Sequence, residues 1–356
     1  MNKEYNFKIK DREIGPGNPV FIIAEISANH NQDFERAKKM IKIAADCGVD
    51  AVKLQTYTPD TLTIDCQKES FVVRDVNPEW NGKTLYQLYE KAYMPWEWQV
   101  ELKKIAEECG IILFSSAYDE TSVDFLEKID IPAYKIASFE INDIELLKKI
   151  AETKKPVIIS KGMAGLEEIE LAVSTLRENG AKDIALLHCV SAYPANPEDM
   201  NLSTICDIKE RFNVVPGLSD HSLGISASIT AVALGACIIE KHFTMSRTDK
   251  GLDSSFSIEP EELKQLVKSV RETEKLIGKV QYGILSSEKG NIAGRRSLFA
   301  VEDIKAGQEF TIENTRCIRP GQGLQPKYLL EIIGKKAKKD IDRGTPLNWE
   351  LIDKNN

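Results

Sequence analysis

Val215-Pro216-Gly217-Leu218-Ser219-Asp220-His221 and Cys237-Ile238-Ile239-Glu240-Lys241-His242-Phe243 are two short, mainly apolar runs separated by an Ala-rich segment, 225–234, with helical spacing. Strands buried on both faces read as near-continuous apolar runs, so this stretch predicts strand, helix, strand, with the two strands parallel. A histidine stands at the end of each run. In a parallel α/β fold the carboxyl ends of neighbouring strands lie side by side at one rim, which predicts His221 and His242 about one strand spacing, ~5 Å, apart. Two imidazoles at that separation can hold one divalent metal; the alternative is a pair of interior histidines, each satisfied by its own hydrogen bond.

Outward from this stretch the same beat runs through the chain. Strands are predicted at 21–27, 51–56, 111–116, 133–138, 157–161, 184–189, 215–219 and 237–243. Amphipathic segments at 34–47, 96–109, 122–128, 144–153, 166–179, 202–212 and 225–234 alternate with them, and a last helix is predicted at 261–277. Eight such units over about 250 residues describe a (β/α)8 TIM barrel, and no Gly-rich dinucleotide fingerprint follows the first strand. One insertion interrupts the beat, at 57–95, and a loop this long at the carboxyl rim is expected to wall a site. Trp96 and Trp98 at its end are read either as part of that wall or as packing at a helix start.

Composition bounds the rest. With 356 residues, 42% hydrophobic and 29% charged, the chain can bury a large core and exceeds the usual single-domain range. A net charge of −8 and the lack of a basic, aromatic-interleaved run argue against nucleic acid. There is no apolar stretch of membrane-spanning length, and Met1-Asn2-Lys3-Glu4-Tyr5-Asn6 lacks a signal peptide's apolar segment, so no membrane and a cytoplasmic location are expected. Seven scattered cysteines without a CxxC read as reduced thiols.

After Gly278 the pattern changes. Domains are expected at 1–280 and 295–356, with a linker at 281–294. The C-terminal segment carries 12 Lys+Arg and 9 Asp+Glu, a net of +3, against −11 for the first 294 residues. A basic cap beside an acidic body suits an anionic ligand, although +3 is also an ordinary solvated surface.

The expected rim is polar almost throughout. It carries Glu25, Lys53 and Gln55, Ser115-Ser116, Lys135 with Ser138, Ser160-Lys161, and His188 followed by Ser191 and Tyr193. Two lysines and several hydroxyls converging at one rim read as a phosphate or carboxylate cradle. The alternative is that each lysine pairs with a barrel glutamate, such as Glu25 or Glu240.

Six ordered motifs carry a resemblance over almost the whole chain: Ile23-Ala24-Glu25-Ile26 with Asn29-His30-Asn31, Lys53-Leu54-Gln55-Thr56-Tyr57, Tyr134-Lys135-Ile136-Ala137-Ser138, Gly217-Leu218-Ser219-Asp220-His221, Glu240-Lys241-His242-Phe243-Thr244 and Arg319-Pro320-Gly321. These resemble the sialic acid synthase family, whose members condense phosphoenolpyruvate with an acetamido sugar. Ser27-Ala28-Asn29, Leu88-Tyr89-Glu90-Lys91-Ala92 and Asp253-Ser254-Ser255-Phe256-Ser257 are similar to the branch that makes pseudaminic acid, which implies 2,4-diacetamido-2,4,6-trideoxy-L-altrose as the sugar. An N-acetylneuraminate or legionaminate synthase, using a different acetamido sugar, is the alternative within the family. Arg295-Arg296-Ser297-Leu298 and Cys317-Ile318-Arg319-Pro320-Gly321 resemble the family's small C-terminal antifreeze-like (SAF) domain.

The resemblance also implies roles. His221 and His242 would hold a divalent metal, Mn²⁺ or Mg²⁺, that polarises the sugar aldehyde. Glu25 would stabilise cationic character or transfer a proton. Lys53, Ser116, Lys135, Ser138, Ser160, Ser191 and Ser219 correspond to phosphoenolpyruvate contacts; Gln55, Tyr193, Asp253 and Arg319 correspond to sugar or intermediate contacts. Arg319 would come from the partner chain of a domain-swapped homodimer. Two positions depart from the family pattern: Ser191 stands where the sialic branch has Asn, and Lys161 where most members have Thr. A different metal-dependent barrel enzyme, such as an aldolase or hydrolase, and a carbohydrate-binding protein without turnover are the competing classes; phosphate release separates them from a synthase.

Overall fold

The computed structural model describes residues 5–74, 80–249 and 251–353. Residues 1–4, on which part of the expectation about a leader rests, and 75–79 of the insertion lie outside the described residues. The chain divides into two compact units, Met1–Gly278 and Lys279–Asn356.

In the first unit eight strands, Phe21–Glu25, Ala51–Thr56, Ile112–Ala117, Tyr134–Ile136, Val157–Ser160, Ile184–Cys189, Val215–Asp220 and Ile238–His242, pair in chain order and close into a parallel barrel. The eighth strand hydrogen-bonds to the first, with His242 opposite Glu25. Helices alternate with the strands, and Pro260–Ile277 is the last. Their starts follow from side chains that accept orphan amide protons: Asp33 caps Phe34–Asp46 by accepting from Arg36 N, and Asp143 caps Ile144–Glu152 by accepting from Leu146 N.

Period-two alternation sorts each strand into two layers. Phe21 and Ile23 point inward, while Ile22 and Ala24 pack against the helices. The inward set, with Ala51, Phe114, Ile158, Leu187 and Ile238, meets Phe7, Ile9 and Ile14 of an N-terminal hairpin, Phe7–Ile9 with Arg12–Ile14. That hairpin plugs the amino end of the barrel with apolar side chains. Gly217 belongs to the same interior; a methyl there would collide with Leu187 and with the Ile238 carbonyl, so the strand needs glycine to approach its neighbours.

The strand boundaries differ from expectation mainly at the rim. The first strand ends at Glu25, because Ser27 takes a φ of 51° and opens a short 3-10 turn, Ser27–His30. The fourth is shorter than expected, at Tyr134–Ile136. The insertion folds into Pro59–Leu62, Glu69–Phe71 and Leu85–Ala92. Among the described residues no helix is long and apolar enough to cross a membrane, and all seven cysteines are free thiols.

The second unit is small and built around one antiparallel strand pair. Ser297–Ala300 pairs antiparallel with Thr315–Ile318, and its core gathers Leu298, Ala300, Ile304, Phe310, Ile332, Ala337, Ile341, Leu347, Leu351 and Ile352. The segment before it, Ser286–Gly294, is an exposed 3-10 run.

Candidate active site

The alternation that fills the barrel's interior also builds its carboxyl rim. On the inward side Lys53 and Gln55 follow Ala51, Ser160 follows Ile158, Cys189 follows Leu187, Ser219 follows Gly217, and Glu240 and His242 follow Ile238. These side chains line one cavity of about 390 Å³ together with Lys135, Ser138, Ser191, Tyr193, His221 and Asp253. Its far wall comes from the insertion, through Tyr57, Leu62, Val73, Trp80, Leu85, Leu88, Tyr89 and Ala92.

Glu240 is the electrostatic centre. Its Oε1 accepts from Lys53 Nζ at 2.9 Å, from Ser219 Oγ at 3.1 Å and from Lys135 Nζ at 3.3 Å. Lys53 Nζ also lies 3.0 Å from Glu25 Oε2. Pairing with a barrel glutamate, one of the two readings open from the sequence, is therefore present for both lysines, and both ammonium groups border the cavity as well. Burial opposes the charge on Lys53, but Glu240 and Glu25 outweigh it and leave its pKa above the ordinary value. Lys135 has one longer contact and stays below the ordinary value, because burial dominates. Burial favours a neutral Glu240, yet Lys135 and Lys53 pull its carboxyl well below the usual range. Glu25 moves upward, since burial exceeds the pull of Lys53.

The two histidines stand beside this cluster. Their ring centroids are 5.2 Å apart at an interplanar angle of 69°, close to the expected strand spacing. His221 Nδ1 lies 2.9 Å from the Val190 carbonyl, which can only accept; Nδ1 therefore carries the proton, and in the neutral ring Nε2 keeps its lone pair. Burial pushes His221 down, but Cys189, with Sγ 3.8 Å from Nδ1, outweighs it and raises the ring's pKa. His242 Nδ1 is buried without a hydrogen-bond partner, and burial with the neighbouring His221 holds that ring neutral, well below its ordinary pKa. Among the described residues no group of three or more His, Cys, Asp or Glu is arranged for a metal. The pair fits an ion that takes two protein nitrogens and leaves its other positions to water or substrate.

Other residues expected from the sequence fall as follows. Ser138 Oγ and Ser191 Oγ hydrogen-bond at 2.8 Å; a side chain at Gly162, whose φ is +48°, would collide with both. Ser160 Oγ and Ser116 Oγ are buried without partners, Ser160 on the cavity wall and Ser116 outside it. Asp253 accepts from Ser27 Oγ and from Ala28 N, and burial raises its carboxyl to about 6. Glu25, the register partner of Lys53 and His242, is fully buried against the Lys53 ammonium and does not line the cavity. Lys161 donates to Gly162 O and also lies outside the lining set. Trp96 and Trp98 pack at the helix start: Trp96 Nε1 donates to Tyr57 O, and Trp98 stands edge-on to Phe34 and His30. Arg319 belongs to the other unit, where it is exposed after Thr315–Ile318.

Two cavity carboxyls escaped the sequence reading of the site. Glu240 enters the sequence reading within a motif and as a possible lysine partner but not as a site residue, although strand alternation places it two residues from His242 on the inward face. Glu140 lies beyond the fourth strand, in a segment with no periodicity. It lines the cavity, its Oε2 has no hydrogen-bond partner, and burial raises its carboxyl to about 7.

Residues 40–282 match the NeuB family, and residues 295–353 match the SAF domain. The chain is 45% identical over 328 residues to pseudaminic acid synthase of Campylobacter jejuni, covering 92% of this chain and 95% of that one. It is 40% identical over 323 residues to N,N'-diacetyllegionaminic acid synthase of the same organism, covering 90% and 96%. A crystal structure of N-acetylneuraminic acid (sialic acid) synthetase from Leptospira borgpetersenii, in complex with citrate, superposes with a TM-score of 0.72 at 36% identity. That match covers 82% of this chain and 97% of the other.

Proposed function

From the premise that this chain belongs to the NeuB family and is a phosphoenolpyruvate-dependent nonulosonic acid synthase, we propose that it condenses phosphoenolpyruvate with 2,4-diacetamido-2,4,6-trideoxy-L-altrose and water to give pseudaminic acid and phosphate. One observation carries the chemistry: two buried ammonium groups, an unpartnered serine hydroxyl and a pair of imidazoles face a single cavity of about 390 Å³. That set suits an anion with a phosphate and a carboxylate beside a polarisable carbonyl. The choice of sugar rests on the 45% identity to a pseudaminic acid synthase against 40% to a legionaminic acid synthase.

Lys53 and Lys135 neutralise phosphoenolpyruvate, with Ser138, Ser160, Ser191 and Ser219 completing its hydrogen bonds and Ser116 supporting them from behind. Gln55, Tyr193 and Asp253 orient the sugar. A divalent cation held by His221 and His242, Mn²⁺ or Mg²⁺, would supply Lewis-acid polarisation of the sugar carbonyl. Carbon three of phosphoenolpyruvate attacks the aldehyde carbon, and positive charge develops at carbon two. Water adds there and loses a proton, while the former aldehyde oxygen takes one up and becomes a hydroxyl. The tetrahedral product expels phosphate as its hydroxyl proton leaves, giving the keto acid.

The lysine-paired Glu240 opposes the positive charge developing beside it, and Glu25 acts from behind Lys53. Glu140, with an unpartnered oxygen and a carboxyl that titrates near neutrality, is suited to moving one of the two protons. Arg319 reaches the site of the partner subunit in a domain-swapped homodimer.

The deciding assay is phosphate release with a panel of acetamido sugars. The altrose derivative is expected to give the highest kcat/KM. A higher value with the legionaminate precursor or with N-acetylmannosamine overturns the sugar assignment, and no phosphate release with any sugar overturns the reaction.

A further inference from the structure

Asp220 and Lys241 stand one residue before the two histidines and face the other way. They are register partners on the seventh and eighth strands, and alternation turns both side chains out of the barrel toward the helix Ser226–Ala233. They pair at 2.9 Å, each about 1% exposed. Removing two charges from water costs about as much as their attraction returns, so well-packed apolar residues could hold the same interface. The hydrogen bonds they make are more specific than the charge. Asp220 Oδ1 accepts from Ser222 N at 2.9 Å and Ser222 Oγ at 2.6 Å, and Lys241 Nζ donates to Ser222 O at 2.7 Å. Ser228 Oγ completes the carboxylate at 2.6 Å.

The residue after His221 is thus gripped at both its amide and its carbonyl by the pair, while the His221 carbonyl accepts from Ala195 N at 3.0 Å. One end of that grip, Lys241, is the residue before His242. We propose that the Asp220–Lys241 pair is a positioning device that fixes the separation and aim of the two imidazoles by tying the turn after one to the strand that carries the other. The inference rests on the reading that His221 and His242 hold a divalent cation. Neither Asp220 nor Lys241 touches the cavity, so both act through the histidines.

The test measures Mn²⁺ affinity of the substrate-free protein, by electron paramagnetic resonance of the unbound ion, beside a thermal melt. The apolar pair Asp220→Leu with Lys241→Met keeps the packing and removes the grip. It leaves the Ser222 amide and carbonyl without these partners, so a lower melt is expected together with Mn²⁺ binding about ten- to a hundredfold weaker. The amide pair Asp220→Asn with Lys241→Gln keeps an acceptor for Ser222 N and a donor for Ser222 O, and should stay within about threefold of wild type. A folded apolar pair with wild-type affinity overturns the proposal. Should the apolar pair not fold, the amide pair decides: retained affinity upholds the grip, and a tenfold or greater loss in a folded amide pair overturns it. A wild-type protein that binds no Mn²⁺ overturns the metal reading and this inference with it, and that failure is visible in the parent protein before any variant is made.

Discussion

Lys135→Met should separate binding from stability, and the reason lies in how differently the two site lysines are held. Lys135 Nζ has one carboxylate contact, 3.3 Å from Glu240 Oε1, and burial leaves its pKa below the ordinary value. Its charge therefore gains little from the folded protein, and Glu240 keeps Lys53 and Ser219 when it goes. Methionine fills a similar volume, so the fold should melt within about 5 °C of wild type. Against a phosphate or carboxylate, loss of one charge-assisted hydrogen bond costs about 1.5–3 kcal/mol, which is about ten- to a hundredfold in the Michaelis constant for phosphoenolpyruvate. Lys53→Met is the contrast. Lys53 joins Glu25 and Glu240 at 3.0 and 2.9 Å, and its pKa is raised by them, so its removal leaves buried carboxylates poorly compensated. A loss of about 3–5 kcal/mol of stability is expected there. Phosphate release, with each substrate varied at saturation of the other, reads the binding effect. An equal rise in both Michaelis constants for Lys135→Met, or a melt as low as that of Lys53→Met, would refute the reasoning.

Two further predictions test other parts of the site. Burial raises Glu140 from 4.5 to about 7, so the folded state holds its proton more tightly than the unfolded chain, and its contribution to stability falls as pH rises through that window. Glu140→Gln should therefore gain stability relative to wild type between pH 5 and pH 8, by up to about 3 kcal/mol in urea midpoints; a difference independent of pH excludes a shifted carboxyl. For the swapped dimer, Arg319→Ala and His242→Ala homodimers should both be inactive, whereas co-refolded mixtures should recover about a quarter of wild-type activity, one intact site in each mixed dimer. No recovery, with mixed dimers confirmed by mass, rejects an arginine acting across the dimer.

What the sequence made legible was governed by burial on two faces. The runs at 51–56 and 184–189 match their strands residue for residue, because a barrel strand covered inside and outside leaves an apolar run with sharp ends. Boundaries slipped where the chain turns into the rim, as at Ser27, whose positive φ no apolar pattern announces. The facing histidines followed from strand ends alone. Depth did not: Glu25, Lys53 and His242 share a register, yet the long lysine stem carries its ammonium to the cavity while the carboxylate of Glu25 stays behind it. Glu140 had no period to betray it, and Arg319 stands on a separate compact unit, Lys279–Asn356.

The barrel divides its free energy between its two ends. At the amino end Phe7, Ile9 and Ile14 meet Phe21, Ile112 and Phe114, so the inward layers bury carbon against carbon. At the carboxyl end the same inward positions carry groups that the protein does not satisfy: Ser116 Oγ, Ser160 Oγ, Glu240 Oε2 and His242 Nδ1 are buried without hydrogen-bond partners, and Glu140 Oε2 joins them from the loop beyond the fourth strand. Each such atom costs about 1–3 kcal/mol against its hydrated state, and the cost is recovered only when a ligand supplies the partner. Glu240 concentrates the effect, since one oxygen collects three donors and the other none. A site assembled this way is held rigid by the lysine cluster and left hungry at chosen atoms, so binding energy goes to ligands that match the pattern. Truncating Phe114 should lower the melting temperature and spare the Michaelis constants, whereas Lys135→Met at the rim should do the reverse.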